Sequence, residues 1–386
     1  MNKRVGIVTH YYKSSNYGGN LQAYALCRAL NKLKGVQAEQ ICYDFQGEIA
    51  PKSFKEKLQG KSLSEIIKIV WGKIYTRLHA EEISKIYANH ARAFQDFNEC
   101  VIPHGASVYD YKCVNACVED YDAFITGSDQ VWNLTAYRPT FFLDFAPSTK
   151  TKISYAASIA LPSLTDAQKQ IFKNSLQDYT AVSVREKSAV KLLDALSPMP
   201  VQVTLDPTLL LTREDWDEVC ADRLVDGEYI FCYFLGDNPK SRKITEKYAK
   251  KRGLKIVSVP FVGGVVTATD KKFGDERLID VSPQAFLSLV KHAKCVFTDS
   301  FHAVVFSNIY EKEYFVFNRS KKGEMSSRIV DITELFGQTE HFCAGADKES
   351  VAYVESLSAI DYTKPRTEFL DMQAHSIAFL KENLGI

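Results

Sequence analysis

The segment Thr298-Asp299-Ser300-Phe301-His302-Ala303 carries the residues of this chain best suited to chemistry. Apolar Cys295-Val296-Phe297 precedes it and Val304-Val305-Phe306 follows it. That pattern predicts a buried strand that passes through a polar turn straight into a helix. Asp299, Ser300 and His302 then stand at a helix start, where unpaired backbone N–H groups and the helix dipole favour an anion. An imidazole placed there can act as a general acid or base, or hold a phosphate or carboxylate. The bland alternative is an Asp or Ser N-cap beside a structural histidine, since capping residues are common at helix starts.

Such a turn needs a sheet to hold it, and the chain alternates strand and helix patterns on both sides. Arg4–Thr9 reads as an apolar strand, followed by the polar loop Tyr11–Gly19. Residues 20–34 place Leu21, Ala25, Leu26, Ala29, Leu30 and Leu33 on one helical face, and Gly35 is a stop signal. A second strand spans 36–44. Further strands are expected at Asp122–Thr126, Ile153–Ala157, Ala181–Val184 and Val201–Leu205. A second series has strands at Tyr229–Phe234, Lys255–Val259, Cys295–Thr298 and Tyr314–Phe317, with helices at 239–251, 283–291, 301–309 and 325–336. A last helix covers about 365–384. The fold class is therefore α/β, with two Rossmann-like parallel-sheet domains facing a central cleft. The Pro-rich stretch Ser197-Pro198-Met199-Pro200 gives the boundary, so the domains are 1–196 and 197–345. A helical tail, 346–386, packs back on the first domain.

Residues 51–99 interrupt this pattern with a Lys-rich helical insert, expected as helices near 62–78 and 80–98. Ile66, Ile67, Val70, Trp71 and Ile74 form an apolar stripe flanked by Lys61, Lys68, Lys73 and Arg77. A hairpin packed on the sheet is the plain reading. A basic surface through 51–78 that meets the inner membrane face or a lipid-linked substrate is the sharper one.

Composition excludes several classes. Net charge is +1, from 48 basic and 47 acidic residues, which leaves no basic field for a nucleic-acid partner. No apolar run is long enough to cross a bilayer. Polar His10, Lys13 and Ser14 come too early for a signal peptide, so a cytoplasmic location is expected. The nine cysteines are scattered and mostly apolar in context, as reduced core cysteines are. Cys113 and Cys117 have no second ligand pair nearby, so no metal site is expected.

Ligands bind such sheets at the carboxyl ends of the strands. The loops there carry Asn16, Gly18, Gly19, Asn20, Ser128, Asp129, Gln130, Arg185, Glu186, Ser300, His302, Arg319 and Arg328. The set is rich in anion-binding groups. It lacks both a P-loop, because no Lys-Ser/Thr follows Gly18-Gly19, and a G-x-G-x-x-G fingerprint. No nucleotide or other cofactor is expected.

Six motifs, in order, resemble one family. They are Asn16-Tyr17-Gly18-Gly19-Asn20-Leu21-Gln22-Ala23-Tyr24-Ala25-Leu26, Gly127-Ser128-Asp129-Gln130-Val131-Trp132-Asn133, Ile153-Ser154-Tyr155-Ala156-Ala157-Ser158, Ser183-Val184-Arg185-Glu186, Leu205-Asp206-Pro207-Thr208 and Thr298-Asp299-Ser300-Phe301-His302. Across roughly residues 5–340 the chain resembles the polysaccharide pyruvyl transferases. The resemblance implies a GT-B-like fold. It also implies transfer of a pyruvyl group from phosphoenolpyruvate onto two sugar hydroxyls of a surface polysaccharide, or its lipid-linked precursor, as a ketal. By motif, His302 matches the family's functional histidine and Arg185 falls in its arginine motif. His302 and Asp129 are then the catalytic candidates. Arg185, Ser300, Arg319 and Arg328 would bind the donor, whose phosphate and carboxylate call for arginine forks and a helix N-terminus. Asn16, Gly18, Gly19, Asn20, Ser128 and Gln130 would face the acceptor.

Two positions depart from the family. Many members have Arg where this chain has Phe301, and Gly where it has Ala303; Arg319 is the candidate to replace the missing cation. Two other readings compete. A GT-B glycosyltransferase would use a nucleotide sugar on the same fold, and a two-lobed binding protein would do no chemistry.

Overall fold

The computed structural model describes residues 2–48, 77, 79–261, 270, 272–319, 327–364 and 366–386. Apart from Arg77, the first expected helix of the insert and its basic stripe lie outside these residues.

The first domain is built on a seven-stranded sheet. The chain runs β1 (Lys3–Val8), α1 (Tyr17–Asn31), β2 (Val36–Tyr43), α2 (Ala80–Asp96), β3 (His104–Tyr109), β4 (Ala123–Thr126), β5 (Thr151–Ala157), α3 (Asp166–Ser175), β6 (Ala181–Val184), α4 (Lys187–Leu193) and β7 (Val201–Val203). The strand order is β3-β2-β1-β4-β5-β6-β7 and every pairing is parallel. Val5, Ile7, Ala123, Ile125 and Ile153 are fully buried. Their strands read as continuous apolar runs because helices cover both faces of the sheet.

The second domain continues with α5 (Arg213–Asp217), β8 (Tyr229–Tyr233), α6 (Pro239–Arg252), β9 (Lys255–Ser258), β10 (Glu276–Arg277), α7 (Pro283–Lys291), β11 (Cys295–Thr298), α8 (Phe301–Ile309), β12 (Glu313–Val316) and α9 (Ser327–Leu335). Its five strands pair in parallel in the order β10-β9-β8-β11-β12. In each sheet the strand order reverses beside the domain's first strand. Loops from β1 and β4, and from β8 and β11, therefore open at that switch point. Local signals explain the helix ends. Pro239 sits at the first position of α6 behind the Asn238 cap, and Gly253, at φ 64°, closes it in the left-handed conformation.

The Pro198–Pro200 break is not the domain boundary. β7 lies just beyond it and pairs with β6 through Val182–Val201 and Val184–Val203. The prolines shape a tight helix-to-strand loop, and the crossover comes after Asp206. The tail also divides. Val351–Ser356 (α10) places Val354 in the second domain's core with Ile244 and Tyr248. Thr367–Leu384 (α11) packs Phe379, Leu380 and Leu384 against Val5, Ile7 and Ile153 of the first sheet. Strand β3 was not legible in sequence because its mostly partly exposed edge, HGASVY, has little apolar content.

The two domains share a core. Tyr11, Tyr17 and Leu21 belong to the same buried cluster as Tyr233, Phe286, Phe301 and Val304. Tyr17 stacks on Phe286 at 4.5 Å between ring centroids and donates a 2.9 Å hydrogen bond to the Val281 carbonyl. This fixes the start of α1 against the second domain. No helix among the described residues is long and apolar enough to cross a membrane.

Candidate active site

A cavity of about 270 Å³ lies between the two sheets at their carboxyl ends. Asn16, Gly18, Asp129 and Gln130 line it from the first domain, and Ser300, His302, Arg319 and Arg328 from the second. Tyr17, Tyr233, Phe286 and Phe317 close its apolar side. Eight of the twelve sequence candidates thus meet at one place.

The strand–turn–helix around His302 forms as expected. Thr298 ends β11, its hydroxyl accepts from the Ser300 N–H, and the Ser300 hydroxyl caps α8 at Ala303. Asp299 has a different task. Its two carboxylate oxygens accept from the Leu235 N–H at 2.6 Å and the Gly236 N–H at 2.9 Å, which staples the loop after β8 to the α8 turn. Burial pushes its carboxyl up, against the opposing charge of Arg319 and those N–H bonds.

His302 is set between the domains. On one side, over the ring face, it meets Gly18, where a β-carbon would stand 2.7 Å from Cγ and overlap the ring nearer Nδ1. On the other, Nε2 lies 3.5 Å from Asp206 Oδ2. Gly18 was readable in sequence as a turn glycine; its actual requirement is close approach to an imidazole from the other domain.

Behind His302 is a buried ionic core. Arg185 donates to Asp206 Oδ2 at 2.8 Å and to Asp129 Oδ1 at 3.4 Å. Its guanidinium lies 4.8 Å above the Phe301 ring. Burial alone would raise both carboxyls. For Asp206 its interactions with His302 and Arg185 and the Thr208 hydrogen bond outweigh it, and for Asp129 chiefly those with Arg185 and His302 do, so both are held low. Arg185 therefore does not reach the main cavity as a free donor ligand. It lies between that cavity and a 70 Å³ pocket, already engaged by two carboxylates.

Arg328 has the opposite character. It is 7% exposed, faces the cavity, and makes no ion pair within 4.0 Å among the described residues. Burial lowers its pKa to about 10, helped by the nearby Arg185 charge. Arg319, the expected replacement for a cation at Phe301, and Arg328 both line the cavity.

Three acceptor candidates are scaffold. Asn20 is fully buried and its amide bonds the Ser14 and Asn16 carbonyls. Gly19 packs where a β-carbon would meet the His10 carbonyl at 2.8 Å. Ser128 is buried and donates to the Ala156 carbonyl at 2.9 Å. Asn16 caps α1 at the Gly19 N–H while lining the cavity. Asp206 is the residue that sequence reasoning passed over. It sat in a quoted motif, but nothing in its neighbours signalled the long-range partners it finds. Glu186 braces the 158–160 loop, accepting from Ser158 Oγ and the Ile159 and Ala160 N–H groups. No group of three or more His, Cys, Asp or Glu side chains is arranged to hold a metal among the described residues.

A family model described as polysaccharide pyruvyl transferase matches residues 16–321. No curated protein matches the chain. Solved structures share the architecture at low identity. A UDP-GlcNAc 2-epimerase from Methanocaldococcus jannaschii aligns with TM-score 0.52 at 11% identity, covering 99% of this chain and all of that one, 100%. The S. aureus MnaA–UDP structure aligns with TM-score 0.50 at 13% identity, covering 100% and 97%. These likenesses show the GT-B fold.

Proposed function

The chain belongs to the polysaccharide pyruvyl transferase family, and from that premise we propose that it moves a pyruvyl group from phosphoenolpyruvate onto two hydroxyls of a sugar. The observation that carries this reading is the pairing, in one cavity, of the buried Arg328, which makes no ion pair within 4.0 Å among the described residues, with His302 at the start of α8. A small donor carrying a carboxylate and a phosphate would supply Arg328 with a close anionic partner beyond the more distant Asp129 and Glu186.

The chemistry needs three events. The methylene carbon of the donor takes a proton and becomes a methyl group. Two sugar oxygens bond to the adjacent carbon. The bond from that carbon to the phosphate oxygen breaks. The two protons lost by the hydroxyls balance the one gained by carbon and the one carried off by phosphate. Arg328, Arg319 and the N–H groups of α8 hold the donor anions. His302 moves a hydroxyl proton, and Asp129 and Gln130 face the acceptor from the first domain. The acceptor is a sugar of a surface polysaccharide or of its lipid-linked precursor, and the reaction runs in the cytoplasm, where the donor is available.

The test supplies ¹³C-labelled phosphoenolpyruvate and a panel of sugars to the purified protein. Acceptor-dependent phosphate release with a new ketal carbon supports the reading, and His302→Ala should slow it by ~10²–10⁴. Glycosyl transfer from a nucleotide sugar, with phosphoenolpyruvate inert, overturns it.

A further inference from the structure

Asp206 stands behind His302, on the side away from the cavity. We propose that Asp206 is a positioning residue that holds His302 as its Nε2–H tautomer, leaving Nδ1 as the nitrogen that exchanges a proton with the substrate. The identity of that substrate rests on the pyruvyl-transfer reading above; the tautomer does not.

The argument is a count of donors and acceptors. A carboxylate offers about four lone-pair sites. On Asp206, Oδ1 accepts from the Thr208 N–H at 3.1 Å and the Thr208 hydroxyl at 2.6 Å. Oδ2 accepts from Arg185 at 2.8 Å. Ser128 Oγ also lies 3.4 Å from Oδ2, but its better-placed acceptor is the Ala156 carbonyl at 2.9 Å, and a hydroxyl has one hydrogen to give. One site on Oδ2 is left, and His302 Nε2 is 3.5 Å from that oxygen.

Nε2 is itself buried and has no hydrogen-bond partner among the described residues. A neutral imidazole carries its proton on one nitrogen and a lone pair on the other. A lone pair on Nε2 would face the carboxylate unsatisfied, which burial makes costly. A proton there has the open acceptor site 3.5 Å away. The separation is long for a hydrogen bond, as contacts of this kind often are before substrate tightens them. The Asp206 and Asp129 carboxylates act on the ring from the first domain, with the Arg185 guanidinium bridging the two. Gly18 covers the ring face near Nδ1, while Nδ1 itself makes no hydrogen bond among the described residues and His302 lines the cavity. Nδ1 is then free to take a hydroxyl proton. The imidazolium that forms stays held by Asp206 until that proton passes to the departing phosphate oxygen.

The direct test is ¹⁵N NMR of histidine-labelled protein, with the His302 signals assigned by their loss in His302→Gln. A neutral ring protonated at Nε2, with a pyridine-type Nδ1, is expected. An Nδ1–H ring overturns the proposal whether or not pyruvyl transfer is observed. Asp206→Asn gives the second arm. It should lower kcat by ~10–100-fold, shift the pH profile of kcat, and change the donor KM much less. Wild-type kcat in a folded Asp206→Asn variant also overturns the proposal. If that variant does not fold, the wild-type spectrum decides alone.

Discussion

Gly18 stands over the ring face of His302 across the two domains, so closely that a β-carbon on residue 18 would overlap the imidazole, 2.7 Å from Cγ and nearer still to Nδ1. The relationship makes one backbone position in the first domain a determinant of where a second-domain side chain points. It also links α1, which carries Gly18 in its first turn, to α8, which carries His302 in its own.

Gly18→Ala should therefore push His302 out of register. Turnover should fall as it does when a proton-transfer group is lost, by ~10²–10⁴, with an overpacking cost of about 1–3 kcal/mol. Steady-state kinetics beside a thermal melt check this. Near-normal turnover would show that the ring has room the geometry denies it.

Arg185→Ala should act on the fold. It removes the cation shared by buried Asp206 and Asp129, and stranding buried charge costs about 3–5 kcal/mol. Arg185→Lys keeps the charge but cannot span both carboxylates, and should destabilise less. Denaturant titration reads the difference. A variant with native stability and only weakened donor binding would return Arg185 to the role its motif suggested.

Arg328→Gln should do the reverse. Burial lowers the Arg328 pKa to about 10, so the folded protein bears a poorly compensated cation at neutral pH. Removing that cation should leave the melting temperature equal or higher, while phosphate loses affinity for the cavity. Calorimetric titration with inorganic phosphate, beside a melt, tests both halves. A lower melting temperature would show that Arg328 stabilises the empty protein.

Acid stability follows from the same carboxylates. Asp206 and Asp129 are held below their ordinary value when folded. A depressed carboxyl contributes stability above the unfolded pKa of ~3.9, and that contribution is lost as pH falls through the folded value. Stability should drop below about pH 4. Asp206→Asn should flatten that drop, measured as the midpoint of urea unfolding against pH. An unchanged acid limb in the variant would mean that other groups set it.

Much of this architecture was legible in the sequence because buried parallel strands leave apolar runs that periodicity detects. Cys295–Thr298 and Ala181–Val184 emerge with those bounds. The polar turn at Ser300–His302 was legible for the same reason, since abrupt polarity between two apolar runs marks a strand end. Partnerships were not legible. Arg185 finds Asp206 across 21 residues and Asp129 across 56, and no local pattern encodes such a meeting. Asn20 and Ser128 have the polar character of ligand residues, yet burial turns their hydrogen bonds inward to hold the loops. The Pro198–Pro200 signal was real but ambiguous, because a proline-rich loop serves a helix-to-strand turn as well as a domain boundary.

Titrating the purified protein with phosphoenolpyruvate alone tests the central claim most directly, because it needs no knowledge of the acceptor. The account predicts saturable calorimetric binding that raises the melting temperature by linkage and is lost in Arg328→Gln, with no comparable response to UDP-GlcNAc. Saturable binding of UDP-GlcNAc, with no response to phosphoenolpyruvate, would contradict it.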